Sequence, residues 1–454
     1  MMRANGKDDK KKKWVPMAPV GILECISEIG GEDAPTWLHR IAKKMGRNTF
    51  RLPLPMSLKG GFVVGNGKLA SEIHRDPASD KPTWLYKPFT VLCHRPFFGI
   101  RSSFHSYTRL MRKNLATAYS KAEVERMGAV TDRLAEEWMT GRLARLAEQD
   151  EAFDPGQEFN RIAFFSICES GFQYTPTEEE YLQYNEYLSI ALKEFFQRQM
   201  VSPWRGLLGK LLPEVRKAHE SIPFIHEFAA KLLENYRQNP NNKATGCKTL
   251  IQVIDEVTPD DDDDLKVAEI IGQLIAGHET TGYSISNMSI LLTKNPSVQE
   301  KLRKEMQQSD ANPYYQHVIK ETMRMVPVAA ITSTRLTGRE FVCPDDGTVI
   351  PKGAVCFLNQ YEAGRDPVVY PNPEEFSPER WEDPTEAMKT NHFPFSSGYR
   401  QCPGQRLALA NLNRILPQVL RSYSLELEDE GHLSNFVTYK YVGARIKARK
   451  LADA

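Results

Sequence analysis

Phe395-Ser-Ser-Gly-Tyr-Arg-Gln-Cys-Pro-Gly404 presents a single cysteine, Cys402, at the mouth of an apolar helical repeat. Downstream, Leu409, Leu412, Leu416, Val419 and Leu420 recur at steps of three and four. That spacing predicts a buried helix starting just after Cys402, with Pro403 in its first turn. The sulfur then stands at a helix N-terminus, where aligned peptide dipoles and unpaired N–H groups favour an anion. Such a position lowers a thiol pKa and suits the sulfur to metal ligation. Gly398 and Gly404 let the backbone wrap closely round whatever the sulfur binds, and Arg400 adds a fixed positive charge. A lone cysteine is more often a small buried core residue, so Cys402 is weighed together with its neighbours.

The spaced pattern Phe-x-x-Gly-x-Arg-x-Cys-x-Gly, carried by Phe395, Gly398, Arg400, Cys402 and Gly404, resembles the haem-binding loop of the cytochrome P450 family. The resemblance implies haem b, with the Cys402 thiolate as axial ligand of its iron. A second match lies upstream, in Ala276-Gly-His-Glu-Thr-Thr281. It follows the acidic run Asp260 to Asp264 and sits inside about thirty proline-free residues, enough for a helix of about 45 Å. In such a helix Ala276 and Gly277 would leave room for dioxygen opposite Cys402, and Ile275 and Ala276 would line the substrate pocket. The Thr280 hydroxyl would open the helix and hold water, and Glu279 would feed protons inward. Elsewhere a Thr-Thr pair is ordinary packing or back-bonding; here Thr280 and Glu279 are the expected catalytic residues.

Glu321-Thr-Met-Arg324 resembles the Glu-x-x-Arg helix of the same family, and Phe376-Ser-Pro-Glu-Arg-Trp381 supplies its partner, Arg380. The three are expected to form a structural cluster that fixes the Cys402 loop. Val326-Pro-Val-Ala-Ala-Ile331 is expected as a strand beside the haem, with Ala329 and Ala330 lining the pocket. Arg335 is expected on a haem propionate. The helix from Tyr107 to Ser120 offers a second propionate ligand in Arg112, with Thr108 at the position where the family has Trp or His; the alternative frame uses His105 and Arg109. Gly347 to Val355 reads as a hairpin, Pro417 as a kink in the last helix, and the aromatic-rich stretch Phe89 to Ser106 as a loop over the pocket. The region around Phe195 to Leu212 is expected to form part of the access channel.

Composition sets the remaining bounds. With 59 Lys plus Arg against 58 Asp plus Glu, the net charge of +1 gives no ground for a nucleic-acid partner. Seven scattered cysteines without C-x-x-C spacing argue against a disulfide framework or a zinc site and fit a reducing compartment. Gly65-Asn-Gly is a turn rather than a phosphate loop, since no Gly-Lys-Ser/Thr follows. No apolar run reaches transmembrane length and no signal-peptide core is present, which predicts a cytoplasmic chain. The alternatives are peripheral attachment to the endoplasmic reticulum, with Lys10 to Lys13, Trp14, Pro16 and Pro19 as basic stretch and hinge, or a chain lacking its anchor.

The expected architecture is mainly α with a small β-rich lobe: a basic tail over residues 1–13 and one haem domain over 14–454. The expected activity is monooxygenation of an apolar substrate with O₂. Electrons would come from a separate reductase or ferredoxin, docking near Arg400 and Arg406. A peroxide-rearranging or isomerising member of the family, or a non-catalytic haem binder, is the rival reading; neither needs the Glu279 and Thr280 pair.

Overall fold

Asp263–Lys294 forms one uninterrupted helix of 32 residues, about 48 Å long at 1.5 Å per residue, through the middle of the molecule. Its start is set by Asp262, whose carboxylate accepts the Leu265 N–H at 3.1 Å. Asp263 and Asp264 in the first turn and Lys294 in the last oppose the helix dipole. The helix is buried on nearly every side, so it needs neighbours all round. The helix Pro155–Phe172 packs against it most extensively. Close approach is possible there because a side chain on Gly277 would run into Ile167, and one on Gly282 would lie 2.5 Å from the Asn160 Cα.

The computed structural model describes residues 13–54, 60–200, 205, 207, 209, 211–239, 248–308, 312–331 and 333–451. Helices predominate and the sheets are small, as the sequence predicts. Further helices at Ser106–Ala118, Lys121–Trp138, Glu178–Met200, Pro213–Gln238 and Pro313–Met325 surround the central one. The last helix, Gln405–Ser422, keeps Pro417 within its span and continues past it. It starts two residues later than expected, with Gly404 at the N-cap, so Pro403 lies outside the first turn. One apolar core runs through these elements from Ala18 to Ala448.

The main sheet has four strands. Thr49–Leu52 pairs antiparallel with Gly61–Val64, which pairs parallel with Val355–Leu358, which pairs antiparallel with Ser333–Leu336. Two expectations are corrected here. Gly347 to Val355 is not one hairpin: Val349–Ile350 pairs with Phe341–Val342, while Val355 joins the main sheet. Val326 to Ile331 is turn rather than strand, and the strand begins at Ser333. Pro327 removes an N–H and forces the chain out of the preceding helix, which leaves this apolar stretch without a ladder. Phe89 also lies within the helix Lys87–Cys93, so the aromatic loop starts only at His94. Trp14 bridges to Val349 and Met17 to Arg51, which carries the chain start along the lobe. Lys10 to Lys12 lie outside the described residues.

Glu321, Arg324 and Arg380 meet in the core. Glu321 Oε1 accepts from Arg324 Nη2 at 2.8 Å, Arg380 Nε at 3.0 Å and the Ser377 N–H at 3.0 Å. Its Oε2 accepts from Arg324 Nε at 2.8 Å and Trp381 Nε1 at 2.9 Å. Arg324 also donates to the carbonyls of Gly364, Pro373 and Glu375. Both charges of the Glu321–Arg324 pair are fully enclosed, which is tolerable only because five donors meet one carboxylate. The segment held directly is 364–381, upstream of the Cys402 loop. Replacing Arg324 with Met leaves Glu321 buried with a depleted donor set, so a stability loss of about 3–5 kcal/mol is expected in urea unfolding; a loss under about 1 kcal/mol would show the pair to be dispensable.

Candidate active site

The loop before the last helix is closed by its own backbone. The Cys402 N–H donates to Phe395 O at 2.9 Å and the Gln401 N–H to Gly398 O at 3.1 Å. Gly398 has a φ of 67° and lies so close to His74 O that no side chain fits, which explains glycine at that position. Gly404 differs: its φ of −84° suits any residue, and an added Cβ would come no nearer than 3.7 Å to Tyr119. Among the described cysteines Cys402 is exposed and the other five are buried, all of them free. The loop still crowds the thiol, and desolvation raises its pKa. The N–H groups of Gly404 and Gln405 and the Arg112 charge pull it back. The expected downward shift is thus corrected: two directed N–H groups and one cation do not outweigh burial.

Tyr119 links this loop to the central helix. Its ring packs at Gly404, and its hydroxyl donates to Gln273 Oε1 at 2.9 Å, one turn before Ala276. The burial of the helix breaks there, with Ile275, Ala276, Gly277 and Thr280 all open to some degree and Ala276 exposed. Ala276 and Thr280, four residues apart, share one face. Thr280 Oγ1 donates to Ala276 O at 2.7 Å, and Ser284 Oγ donates to Thr280 O at 2.7 Å. These hydroxyls draw on carbonyls along the open face of the helix. Gly277 is partly open and also packs against Ile167, where an added side chain would not fit. Glu279 is buried on the neighbouring stripe, 3.9 Å from Lys440 Nζ.

Four cations gather beside the loop. Arg335 is buried, with Nη1 on Thr334 O at 2.8 Å and Nη2 on Ser396 Oγ at 3.1 Å. Arg400 donates to the carbonyls of Gly99 and Arg101, and Lys81 to Gly99 O at 2.7 Å. Arg112 Nη2 donates to Gln401 O at 2.8 Å. The Lys81 pKa falls well below its ordinary value through burial and repulsion by the three arginines; that of Arg335 falls to about 10. Asp80 is the carboxylate that offsets them, and it is already held by Ser102 and Ser103. A cation cluster short of anions, next to an accessible thiol, fits a flat iron macrocycle bearing two carboxylates.

Arg112 thus lies at the loop, whereas His105, the partner in the alternative frame, caps its helix by accepting from the Tyr107 N–H. Thr108 is buried with its hydroxyl unpartnered. Ala329 is half-buried, but Ala330 is fully enclosed, its carbonyl accepting from the Gln360 N–H, and it lines no open pocket. Arg400 turns inward to backbone carbonyls, so it is no surface charge for a docking partner, while Arg406 is exposed. The expected access region 195–212 falls partly outside the described residues. Sequence reading missed Lys81, Tyr119 and Lys440, none of which sits in a motif. A cleft of about 1910 Å³ lies between the helices Ala34–Met45 and Gly67–Arg75 and the segment from Glu362 to Asn391, and holds none of these groups. Surface relief alone does not find the chemistry.

A second clip fixes the loop after Cys93. The Phe98 N–H donates to Glu269 Oε1 at 2.7 Å, and the Phe97 ring lies 2.6 Å from where a Cβ on Gly272 would sit. Phe97 therefore rests on the central helix one turn before Ala276, where glycine leaves the space.

Comparison with known proteins gives the same family as the motifs. A sequence model described as cytochrome P450 matches residues 33–447. A Caenorhabditis elegans protein named cytochrome P450 CYP13A3 is 35% identical over 190 residues, 38% of this chain and 36% of that one. Tabersonine 6,7-epoxidase isoform 1 of Catharanthus roseus is 27% identical over 467 residues, 93% of this chain and 88% of that one. Cytochrome P450 3A6 of Oryctolagus cuniculus is 35% identical over 187 residues, 36% and 35% of the two chains. The nematode and Oryctolagus matches thus span about a third of those relatives.

Burial pushes the Glu269 carboxyl up to about 8, against the pull of the Phe98 N–H, Tyr107 and Arg101. Its folded pKa lies above the unfolded value, so its contribution is complete below about pH 4.5 and is lost as pH rises towards 8. Between pH 5.5 and 7.5 this costs at most about 2–3 kcal/mol. Urea midpoints at the two pH values are expected to differ in the wild type and to converge in Glu269→Gln; equal slopes in both proteins would remove Glu269 as the cause.

Proposed function

Because the chain belongs to the cytochrome P450 family, we propose that it is a haem-thiolate monooxygenase that inserts one oxygen atom of O₂ into an apolar organic substrate. The observation that carries this reading is the pairing of an accessible Cys402 with a cation cluster lacking matched anions, on the side of the molecule that Tyr119 ties to the open face of the central helix. Haem b is the group those residues fit: Cys402 would hold the iron, and Arg112, Arg335, Arg400 and Lys81 would hold its propionates. When bound, it supplies the oxygen-activating iron, with the thiolate pushing electron density towards O–O cleavage.

The chain's own residues account for the rest. Phe395 and Gly398 set the turn that presents the sulfur. Ile275, Ala276, Phe97 and Ala329 would form apolar walls, which would favour an apolar substrate and exclude bulk water. Thr280 holds a hydroxyl on the open face, and Glu279 keeps an acid beside it, the two groups needed to bring protons to bound oxygen. Glu321, Arg324 and Arg380 act at a distance, by fixing the segment that leads into the loop. Electrons would come from a separate reductase or ferredoxin. Arg406 and the exposed Tyr399 and Gln401 offer the surface nearest Cys402 for that partner. The relative named tabersonine 6,7-epoxidase is an oxygen-transferring enzyme by its name, which agrees with the monooxygenase reading. No described helix is long and apolar enough to cross a membrane.

The reduced, carbon monoxide-treated wild-type protein is expected to show the displaced Soret band that gives the family its name, and Cys402→Ser is expected to lose it. The band of a non-thiolate haem in the wild type would overturn the reading. With electrons supplied by a surrogate reductase, Thr280→Ala is expected to raise peroxide release per NADPH several-fold while leaving NADPH consumption within about tenfold of wild type. Unchanged coupling would remove Thr280 from proton delivery.

A further inference from the structure

On the central helix Ala276, Thr280 and Ser284 follow one another at four-residue steps, and Glu279, Tyr283 and Asn287 form the adjacent stripe. This second stripe faces the strand Thr438–Val442. Asn287 grips that strand at two points: its Nδ2 donates to Tyr439 O at 3.2 Å, and its Oδ1 accepts from the Tyr441 N–H at 3.3 Å. The residue between them is Lys440. Its side chain is thereby laid along the stripe, with Nζ 3.8 Å from the centre of the Tyr283 ring and 3.9 Å from Glu279 Oε1.

The pair is closed on one side and open on the other. The Glu279 side chain is 4% exposed and that of Lys440 14%. Glu279 Oε2 is buried without a partner, and 3.9 Å is too long for a hydrogen bond. The carboxylate is therefore held by charge rather than by a fixed bond, and the ammonium is the member that reaches towards water. The other titratable groups near Glu279 are Tyr181 and Tyr184 from Glu178–Met200, and His278 and Tyr283 from its own helix; Asp154 faces Tyr181 and Tyr283. Burial raises the three tyrosines and lowers His278, so all four are uncharged at neutral pH.

We propose that Lys440 is the positioning and proton-supplying partner of Glu279, linking the buried carboxylate to bulk water. This rests on the monooxygenase reading above, in which Glu279 delivers protons on the Thr280 side. In the step, the flexible Lys440 stem brings its ammonium from 3.9 Å to hydrogen-bond distance of Glu279, and an N–H bond breaks as an O–H bond forms on the carboxylate. Glu279 passes that proton inward, and the neutral amine takes its replacement from water; no electrons move. Burial lowers the Lys440 pKa while Glu279 pulls it back up, so the ammonium gives up a proton more readily than one on the surface.

Two substitutions separate charge from proton transfer. Lys440→Met removes the ammonium and keeps the stem; Lys440→Arg keeps a charge that does not deprotonate. Infrared difference spectra need neither haem nor turnover. In these spectra the Glu279 carboxylate stretch, identified by its loss on adding Glu279→Gln, is expected to shift in Lys440→Met and to stay near its wild-type position in Lys440→Arg. In the haem-loaded protein driven by a surrogate reductase, Lys440→Arg is expected to slow oxygen consumption roughly ten- to a hundredfold and to enlarge the solvent deuterium isotope effect. An unshifted Glu279 carboxylate band in Lys440→Met, or wild-type rate and isotope effect in Lys440→Arg, overturns the proposal. Loss of the thiolate-haem spectrum in the wild type would overturn the monooxygenase reading instead, and the infrared result would still decide the Lys440–Glu279 pair.

Discussion

Everything in this molecule is arranged round the need to enclose a 32-residue helix on nearly all sides. An element that long, with apolar and polar residues buried all round it, cannot stand at the edge of a domain; neighbouring elements have to cover it. Coverage fails over one short arc, at Ile275, Ala276 and Thr280. The same packing that hides the helix therefore defines where a ligand can touch it. Glycines do this work at separate points, Gly277 and Gly282 by admitting the helix Pro155–Phe172 and Gly272 by admitting the Phe97 ring.

Electrostatics mark the opposite side of the site. Lys81, Arg112, Arg335 and Arg400 repel one another, and backbone carbonyls, neutral acceptors, are most of what holds them. Carbonyl dipoles orient a guanidinium without cancelling its charge. In the proposed reading a dianion would complete this cluster and a metal would complete the thiol beside it. One group that is both metal complex and dicarboxylate would serve the two together.

How much of this was legible in the sequence depended on whether a residue's role is local. Cys402, Gly398 and the Ala276 to Thr281 turn are set by neighbours a few positions away, so their pattern survives in one dimension. The central helix was legible for the same reason, through its acidic start and its missing prolines. Lys81, Tyr119 and Lys440 act across the fold on partners as distant as Arg400, Gln273 and Glu279, and no spacing in the chain announces them. Ala330 was misplaced because smallness is compatible both with lining a pocket and with filling a tight contact; only the neighbour decides. The thiol pKa was misjudged because a helix start is visible in sequence and the crowding of the loop is not.

Glu321 has a consequence for motion. Its five donors come from one turn of its own helix, from Ser377, and from Arg380 and Trp381, while Arg324 ties in Gly364, Pro373 and Glu375. A stretch of irregular chain normally opens on its own, with amide protons that exchange quickly. This one cannot open without stranding a buried charge pair, so its amides should exchange at rates set by unfolding of the whole domain. An irregular segment that leads towards the Cys402 loop is in this sense expected to open only with the whole domain.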